Sequence, residues 1–176
     1  MDKDFSREYA SALYSLAVDE GISKDIFNEL NQVSDIYSEN PEFVRLLNNP
    51  RLSAIERANT VGNVFSGKCN VFLVNFLKII AEKRRSEIIP KCFEIYKKMY
   101  CEDNGILPVT VSSAAPLTEE QRARLIETLS KKTGKEILLS SRIDPSCIGG
   151  LSVEYSGKRF DSSVKGRLEG MLRNLS

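Results

Sequence analysis

The chain has 176 residues, 41% hydrophobic and 28% charged, which suffices for one ordinary domain or two small ones with a real core. Its net charge of +1 lacks the basic excess of a general nucleic-acid binder. It contains no histidine, which removes the commonest general base, the Ser-His and Cys-His nucleophile pairs and most zinc sites.

The first hundred residues read as helices with short joints. The first helix is expected over 4–19. Phe5, Tyr9, Leu13 and Leu16 make one stripe with Ala12 and Ala17 beside it, and Ala10, Tyr14 and Val18 make a second. Gly21 ends it. The second helix, 22–37, places Ile22, Ile26, Leu30, Val33 and Tyr37 on one face. Asn40-Pro41 reads as an N-cap followed by proline at the first helical position. The short helix it opens carries Phe43, Val44, Leu46 and Leu47 and stops at Asn48-Asn49-Pro50. Ser53 and Glu56 have capping-box spacing and start a fourth helix that runs to Phe65.

The fifth helix, 70–85, stands apart. Between Val71 and Ala81 only Asn75 and Lys78 are polar, so this helix must be covered on most sides. Ser86 marks a break. A sixth helix follows to Glu102, with Pro90 in its first turn and Ile89, Cys92, Phe93, Tyr96, Met99 and Tyr100 facing inward.

Asn104-Gly105 then marks a change of period. Leu107, Val109 and Val111 alternate as a strand, with Pro108 indicating a sheet edge or a strand start. Ala114-Ala115-Pro116 is a joint. Thr118 and Gln121 form a second capping box for a helix to Lys132, ended by Thr133-Gly134. A strand follows over 135–143. Asp144-Pro145 is a turn, and Gly149-Gly150 allows a bend or a close approach as the next strand begins. Leu151, Val153 and Tyr155 alternate with Ser152 and Glu154. Ser156-Gly157 is a tight turn, Lys158-Arg159-Phe160 returns, and Asp161 or Ser162 caps a closing helix. The expected fold is mainly α: an N-terminal six-helix bundle, 1–104, followed by a small α+β domain, 105–176. The first part carries 14 Lys/Arg and 16 Asp/Glu and the second 11 and 8, a mild asymmetry.

The four cysteines, Cys69, Cys92, Cys101 and Cys147, lack C-x-x-C spacing and read as reduced thiols. The N-terminal residues show no apolar core of a signal sequence and no transit character, so no targeting segment is expected. The apolar runs fall far short of the ~20 residues needed to span a bilayer. A place at a membrane would therefore be held through partners.

Several motifs invite chemistry, and each has a structural alternative. Gly62–Cys69 fits the phosphate-loop pattern G-x-x-x-x-G-K-[ST] except at the last position, where Cys69 offers sulfur in place of the magnesium-binding hydroxyl. The segment before it also reads as helix, not strand, so a helix stop is the better account. Lys83-Arg84-Arg85 reads as a solvated helix end near the negative pole of the dipole, or else as a partner-facing patch. Glu119 and Glu120 lie in a helix first turn, where dipole stabilisation accounts for them without a catalytic pair. No catalytic set, cofactor site or metal site is indicated. What remains is surface: the helices at 4–19 and 70–85 carry more apolar character than one inward stripe requires. That excess is either a well-buried central pair or a groove for an amphipathic helix of another protein.

The residues together resemble the delta subunit family of bacterial-type F-type ATP synthases, related to the mitochondrial oligomycin-sensitivity-conferring protein. Arg7-Glu8-Tyr9-Ala10-Ser11-Ala12-Leu13 is similar to the family's opening R-x-Y-A-x-A-L. Asn75-Phe76-Leu77-Lys78-Ile79-Ile80-Ala81-Glu82 is similar to its N-F-L-x-L-L-A-E helix. Ala114-Ala115-Pro116-Leu117-Thr118 matches its later joint. Asp144-Pro145, Ile148-Gly149-Gly150, Asp161, Ser163-Val164 and Arg167-Leu168 stand at family spacing. The chain departs where the family often has Asn-Gly-Arg: it has Lys83-Arg84-Arg85, which leaves the end of the fifth helix open. Cys147 stands where a larger aliphatic residue is usual.

The resemblance implies a non-catalytic stator subunit without cofactors, present in one copy per complex and monomeric alone. It would tie the catalytic head to the peripheral stalk at the cytoplasmic face of the bacterial inner membrane. Its expected partners are the N-terminal helix of an alpha subunit and the C-terminal end of the b-subunit dimer, with no nucleic acid. Membrane association would come only through those partners. For the alpha-binding groove the expected residues are Tyr9, Ala12, Leu13 and Leu16 with Phe72, Phe76, Ile79 and Lys83. For the stalk they are Lys165, Arg167 and Arg173. The competing readings are a generic helical adaptor and a nucleotide-binding protein using 62–69.

Overall fold

The computed structural model of the chain describes residues 5–145, 147, 151–155 and 158–161. The chain forms two compact units, Met1–Tyr100 and Cys101–Ser176. Among the described residues the first unit holds α1 (Phe5–Asp19), α2 (Ser23–Glu39), α3 (Pro41–Leu47), α4 (Ala54–Phe65), α5 (Val71–Glu82) and α6 (Ile89–Asp103), with a 3-10 turn at Ser86–Ile88. The division between the units falls in the last turns of α6.

The local signals act as their chemistry dictates, with two exceptions. Gly21 takes φ 69° and closes α1: its N–H donates to the Val18 carbonyl and that of Ile22 to the Ala17 carbonyl. The box at the start of α4 is complete, with the Glu56 N–H donating to Ser53 Oγ at 3.2 Å and the Ser53 N–H to Glu56 Oε2 at 2.7 Å. Asn40 is the first exception. It holds the N-cap position of α3, yet its side-chain amide donates backward to the Ile36 carbonyl at 2.9 Å and makes no cap bond. Asn40 therefore finishes α2 and leaves the start of α3 to Pro41. The second exception is α5, which ends at Glu82 and not at Arg85.

The core of the first unit is built from the predicted stripes. Ile26, Leu30, Val33 and Tyr37 of α2 are buried, as are Ile89, Cys92, Phe93, Tyr96 and Tyr100 of α6. Each such aliphatic side chain contributes about 1.5–3 kcal/mol on burial. Met99 is half-buried and accepts from Ser11 Oγ at 3.9 Å. Tyr96 stands edge-on to Tyr14 with ring centroids 5.1 Å apart, and its hydroxyl donates to the Ser23 carbonyl at 2.9 Å. Burial pushes the Tyr96 hydroxyl well above its ordinary value, so it remains a donor at all physiological pH.

Among the described residues of the second unit, β1 (Ile106–Ser113), α7 (Glu119–Thr133), β2 (Glu136–Ile143), β3 (Leu151–Tyr155) and β4 (Lys158–Asp161) form a sheet in the order β2-β1-β3-β4 with one helix. The parallel pair β1 and β2 is joined through α7, as a parallel connection requires. β1 with β3 and β3 with β4 are antiparallel. Val109, Val111, Ile137 and Leu139 form the buried centre, and Leu125, Ile126 and Leu129 of α7 pack on it. β1 is an interior strand although it contains Pro108. Its described pairing with β3 starts at Val109, so Pro108 faces a described neighbour only on the β2 side. The alternation in β3 is reversed at Ser152, which is buried between its register partners Ser112 and Asp161. Gly149-Gly150, Ser156-Gly157, Ser162 and the expected closing helix lie outside the described residues.

Candidate functional site

The surplus apolar residues of α1 and α5 divide into an inner and an outer set. On α1, Ala10, Leu13, Tyr14 and Ala17 are buried, whereas Ala12, Leu16 and Val18 are exposed and Tyr9 is half-buried. On α5, Leu73, Val74, Phe76, Leu77, Ile80 and Ala81 are buried, Phe72 is half-buried, and Val71 and Ile79 are 62% and 48% exposed. The two helices meet edge to face through Tyr9 and Phe76, whose ring centroids are 6.4 Å apart at 77°. Beyond the end of α5, the Arg85 guanidinium lies 3.5 Å from the centre of the Phe5 ring, and its Nη1 donates to the Tyr9 hydroxyl at 3.4 Å. Tyr9 thus meets Phe76, while Phe5, one turn earlier, meets Arg85. This pairing means that α1 and α5 run in opposite senses along a shared face.

The eight residues expected to line a groove here do not share one environment. Leu13 and Phe76 are 3% and 8% exposed and belong to the core beneath the face. Tyr9 and Phe72 are half-buried, and Ala12, Leu16, Ile79 and Lys83 are exposed. Val71 was not expected here, although its i, i+8 relation to Ile79 puts both on one strip of α5. Lys165, Arg167 and Arg173 lie outside the described residues. Within the second unit an open cleft of about 470 Å³ lies between the Ser113–Leu117 joint and α7, with Leu125 and Leu151 in its lining.

The end of α5 accounts for the basic cluster. Lys83 is its C-cap, and Arg84 takes φ 54°, a left-handed conformation that non-glycine residues adopt at a cost of roughly 1–2 kcal/mol. The Arg84 N–H donates to the Ala81 carbonyl and the Arg85 N–H to the Ile80 carbonyl, the paired bonds of a Schellman motif. The Arg84 side chain donates to the Pro50 carbonyl at 3.2 Å. Asn48 donates to the Glu87 carboxylate and accepts from the Ser86 N–H at 3.4 Å. The α3–α4 joint is therefore laced to the α5–α6 joint. At the other end of α5, Asn70 Oδ1 accepts from the Phe72 N–H, and the Glu29 carboxylate accepts from the Asn70 N–H at 2.7 Å.

Gly62–Cys69 is not a phosphate loop. Gly62 lies within α4, and Gly67 turns the chain with φ 77°. The Ser66 N–H donates to Gly62, and those of Lys68 and Cys69 to Phe65, so the amides that would cradle a phosphate are spent within the turn. Burial pushes the Cys69 thiol up, and the Glu29 carboxylate adds to this. Glu120 pairs with Arg124 at 2.7 Å on the solvent side of α7, an arrangement of a solvated helix. Among the described residues there is no cluster of three or more Cys, Asp or Glu fit to hold a metal, and no helix long and apolar enough to cross a membrane.

Comparisons with known proteins agree over nearly the whole chain. A family model described as ATP synthase delta (OSCP) subunit matches residues 5–175. An ATP synthase subunit delta of Clostridium perfringens is 35% identical over 165 residues, covering 94% of this chain and 92% of the relative. One from Desulfotalea psychrophila is 33% identical over 171 residues, covering 97% and 94%. In fold, the chain is similar to one in a cryo-EM structure of the Toxoplasma gondii mitochondrial ATP synthase hexamer. The TM-score is 0.73 at 19% identity, with 98% of each chain covered.

Proposed function

Because the chain belongs to the ATP synthase delta (OSCP) subunit family, we propose that it acts as a non-catalytic stator piece that ties the catalytic head to the peripheral stalk. The face shared by α1 and α5 receives the N-terminal helix of the alpha subunit. The C-terminal residues Lys165, Arg167 and Arg173 face the C-terminal end of the b-subunit dimer. One copy serves each complex, peripheral to the cytoplasmic face of the membrane and held there by its partners.

The observation that carries this reading is that Leu16 of α1 and Val71 and Ile79 of α5 stay exposed on the two helices that meet through Tyr9 and Phe76. The first unit already has a filled core, so these side chains are surplus to its folding. An amphipathic helix laid along them would bury its apolar anchors at i, i+3, i+4 and i+7. Leu13 and Phe76 act as the floor that holds Tyr9 in place. A stator transmits torque, and an apolar contact serves that better than exposed ion pairs worth about 0–1 kcal/mol each.

The test is calorimetric titration of the full chain with a peptide of the alpha subunit's N-terminal segment. The expected result is saturable 1:1 binding with a negative heat-capacity change, lost in Ile79→Asp without a change in the unfolding transition. Unchanged binding in a folded Leu16→Asp, Ile79→Asp double variant would move the head contact elsewhere.

A further inference from the structure

We propose that Arg57, which lies behind the α1/α5 face and does not line it, is a positioning residue for partner binding. The inference rests on the partner-binding reading of that face.

Arg57 sits in α4 and is 3% exposed. Its Nε donates to the Ala81 carbonyl at 2.9 Å, its Nη2 to the Glu82 carbonyl at 3.0 Å, and its Nη1 to the Leu52 carbonyl. The first two acceptors belong to the last turn of α5, whose carbonyls lack the i+4 donor of a helix interior; the Ala81 carbonyl also accepts from the Arg84 N–H. A cation there also meets the negative end of the helix dipole. The third acceptor lies in the joint between α3 and α4. One guanidinium therefore clamps the end of α5 to the α3–α4 joint, using the planar fork of donors that distinguishes arginine from lysine.

That last turn presents Ile79 and Lys83 to the proposed partner. At the other end of α5 a separate set of bonds acts: the Phe72 N–H donates to Asn70 Oδ1, and the Asn70 N–H donates to the Glu29 carboxylate. Arg57 should thus set the aim of one end of the face and leave the other end untouched. A residue that merely adds stability would weaken both ends alike.

The experiment compares wild type with Arg57→Lys in the full chain, with Arg57→Gln as a second variant should the lysine form fail to fold. Binding of the alpha N-terminal peptide is measured in each background, alone and crossed with Ile79→Ala and Phe72→Ala. Amide hydrogen exchange of the peptide-free protein is followed in parallel. Removing the fork is expected to weaken the peptide roughly tenfold. The loss should be non-additive with Ile79→Ala and additive with Phe72→Ala. Exchange should quicken at the Lys83, Arg84 and Arg85 amides and stay unchanged at Val74. Equal affinity in a folded variant, equal coupling to both ends, or unaltered exchange at 83–85 would overturn the proposal. A wild-type chain that fails to bind the peptide would instead overturn the partner-binding reading of the face, and the inference with it.

Discussion

The carboxyl ends of α1 and α5, the two helices of the proposed face, share a backbone geometry reached by different means. At α1 the left-handed position is Gly21, φ 69°, with no atom within 4 Å of where a Cβ would stand. At α5 it is Arg84, φ 54°, surrounded by contacts: its own to Pro50, those of Arg57 to Ala81 and Glu82, and those of Asn48 to Ser86 and Glu87. Both ends carry the same two backbone hydrogen bonds. Where glycine supplies the conformation, nothing else is needed. Where it does not, a lattice from a distant joint offsets a cost of roughly 1–2 kcal/mol.

Exchanging the residues tests this contrast. Gly21→Ala should destabilise the first unit by about 1–2 kcal/mol, because a Cβ in the left-handed region is strained even in open space. Denaturant unfolding measures it, and a cost near zero would mean that the end of α1 can relax. Arg84→Gly should do the reverse. It relieves the strain, loses one exposed hydrogen bond, and should stabilise by about 0.5 kcal/mol. A net loss would show that the Arg84–Pro50 contact outweighs the backbone term.

Gly62 sharpens the comparison, since it is a glycine that no left-handed conformation requires. It lies inside α4, and an added Cβ would stand 3.0 Å from Lys78 Cε, the far end of a flexible side chain. Gly62→Ala should therefore gain most of the propensity difference of about 0.8–1 kcal/mol, less the shift of Lys78, for a net stabilisation of about 0.5 kcal/mol. Chemical denaturation of the variant measures it. A loss of stability would mean that Lys78 cannot move aside.

The smallest effect concerns helix starts, where two capping boxes, one opened by Ser53 and one by Thr118, differ in the charge of the residue that closes them. Glu56 closes the α4 box and Gln121 the α7 box. The Ser53 backbone N–H, and then its hydroxyl, hold the Glu56 carboxyl below its usual value. A carboxyl held lower in the folded state contributes stability that is present above its unfolded value and lost as pH falls through the folded one. Glu56→Gln should remove this minor component where it is present, above the ordinary glutamate range, and leave stability at acid pH nearly unchanged, so that the fall from neutral to acid pH becomes shallower. Unfolding curves compared between neutral and acid pH would show it, and an unchanged acid limb would mean that the α4 box is not populated in solution.

Much of this was legible in the residues. Gly21, Ser53 with Glu56, Thr118 with Gln121, and Gly134 act through bonds to neighbours within a few positions. The inward stripes of α2 and α6 were likewise readable, since each helix offers one apolar face. The sorting of α1 was not. Phe5, Tyr9, Leu13 and Leu16 and the stripe of Ala10 and Tyr14 are both apolar, so periodicity could not say which belongs inside. Leu13 and Phe76 were placed on the face, and packing takes them into the core. The end of α5 was set three residues too late, because Lys83-Arg84-Arg85 contains no stop signal.

The sequence by itself determined the family, the helical first part, the alternating strands of the second and the ends of most helices. These follow from hydrophobic period and from caps whose partners are local. The tertiary structure alone decided where α5 stops, which of its apolar residues face outward, and that Arg57 is buried behind them. Those outcomes depend on the carbonyls of residues 52, 81 and 82 meeting one guanidinium, and no local pattern encodes a contact between residues 24 or 25 positions apart.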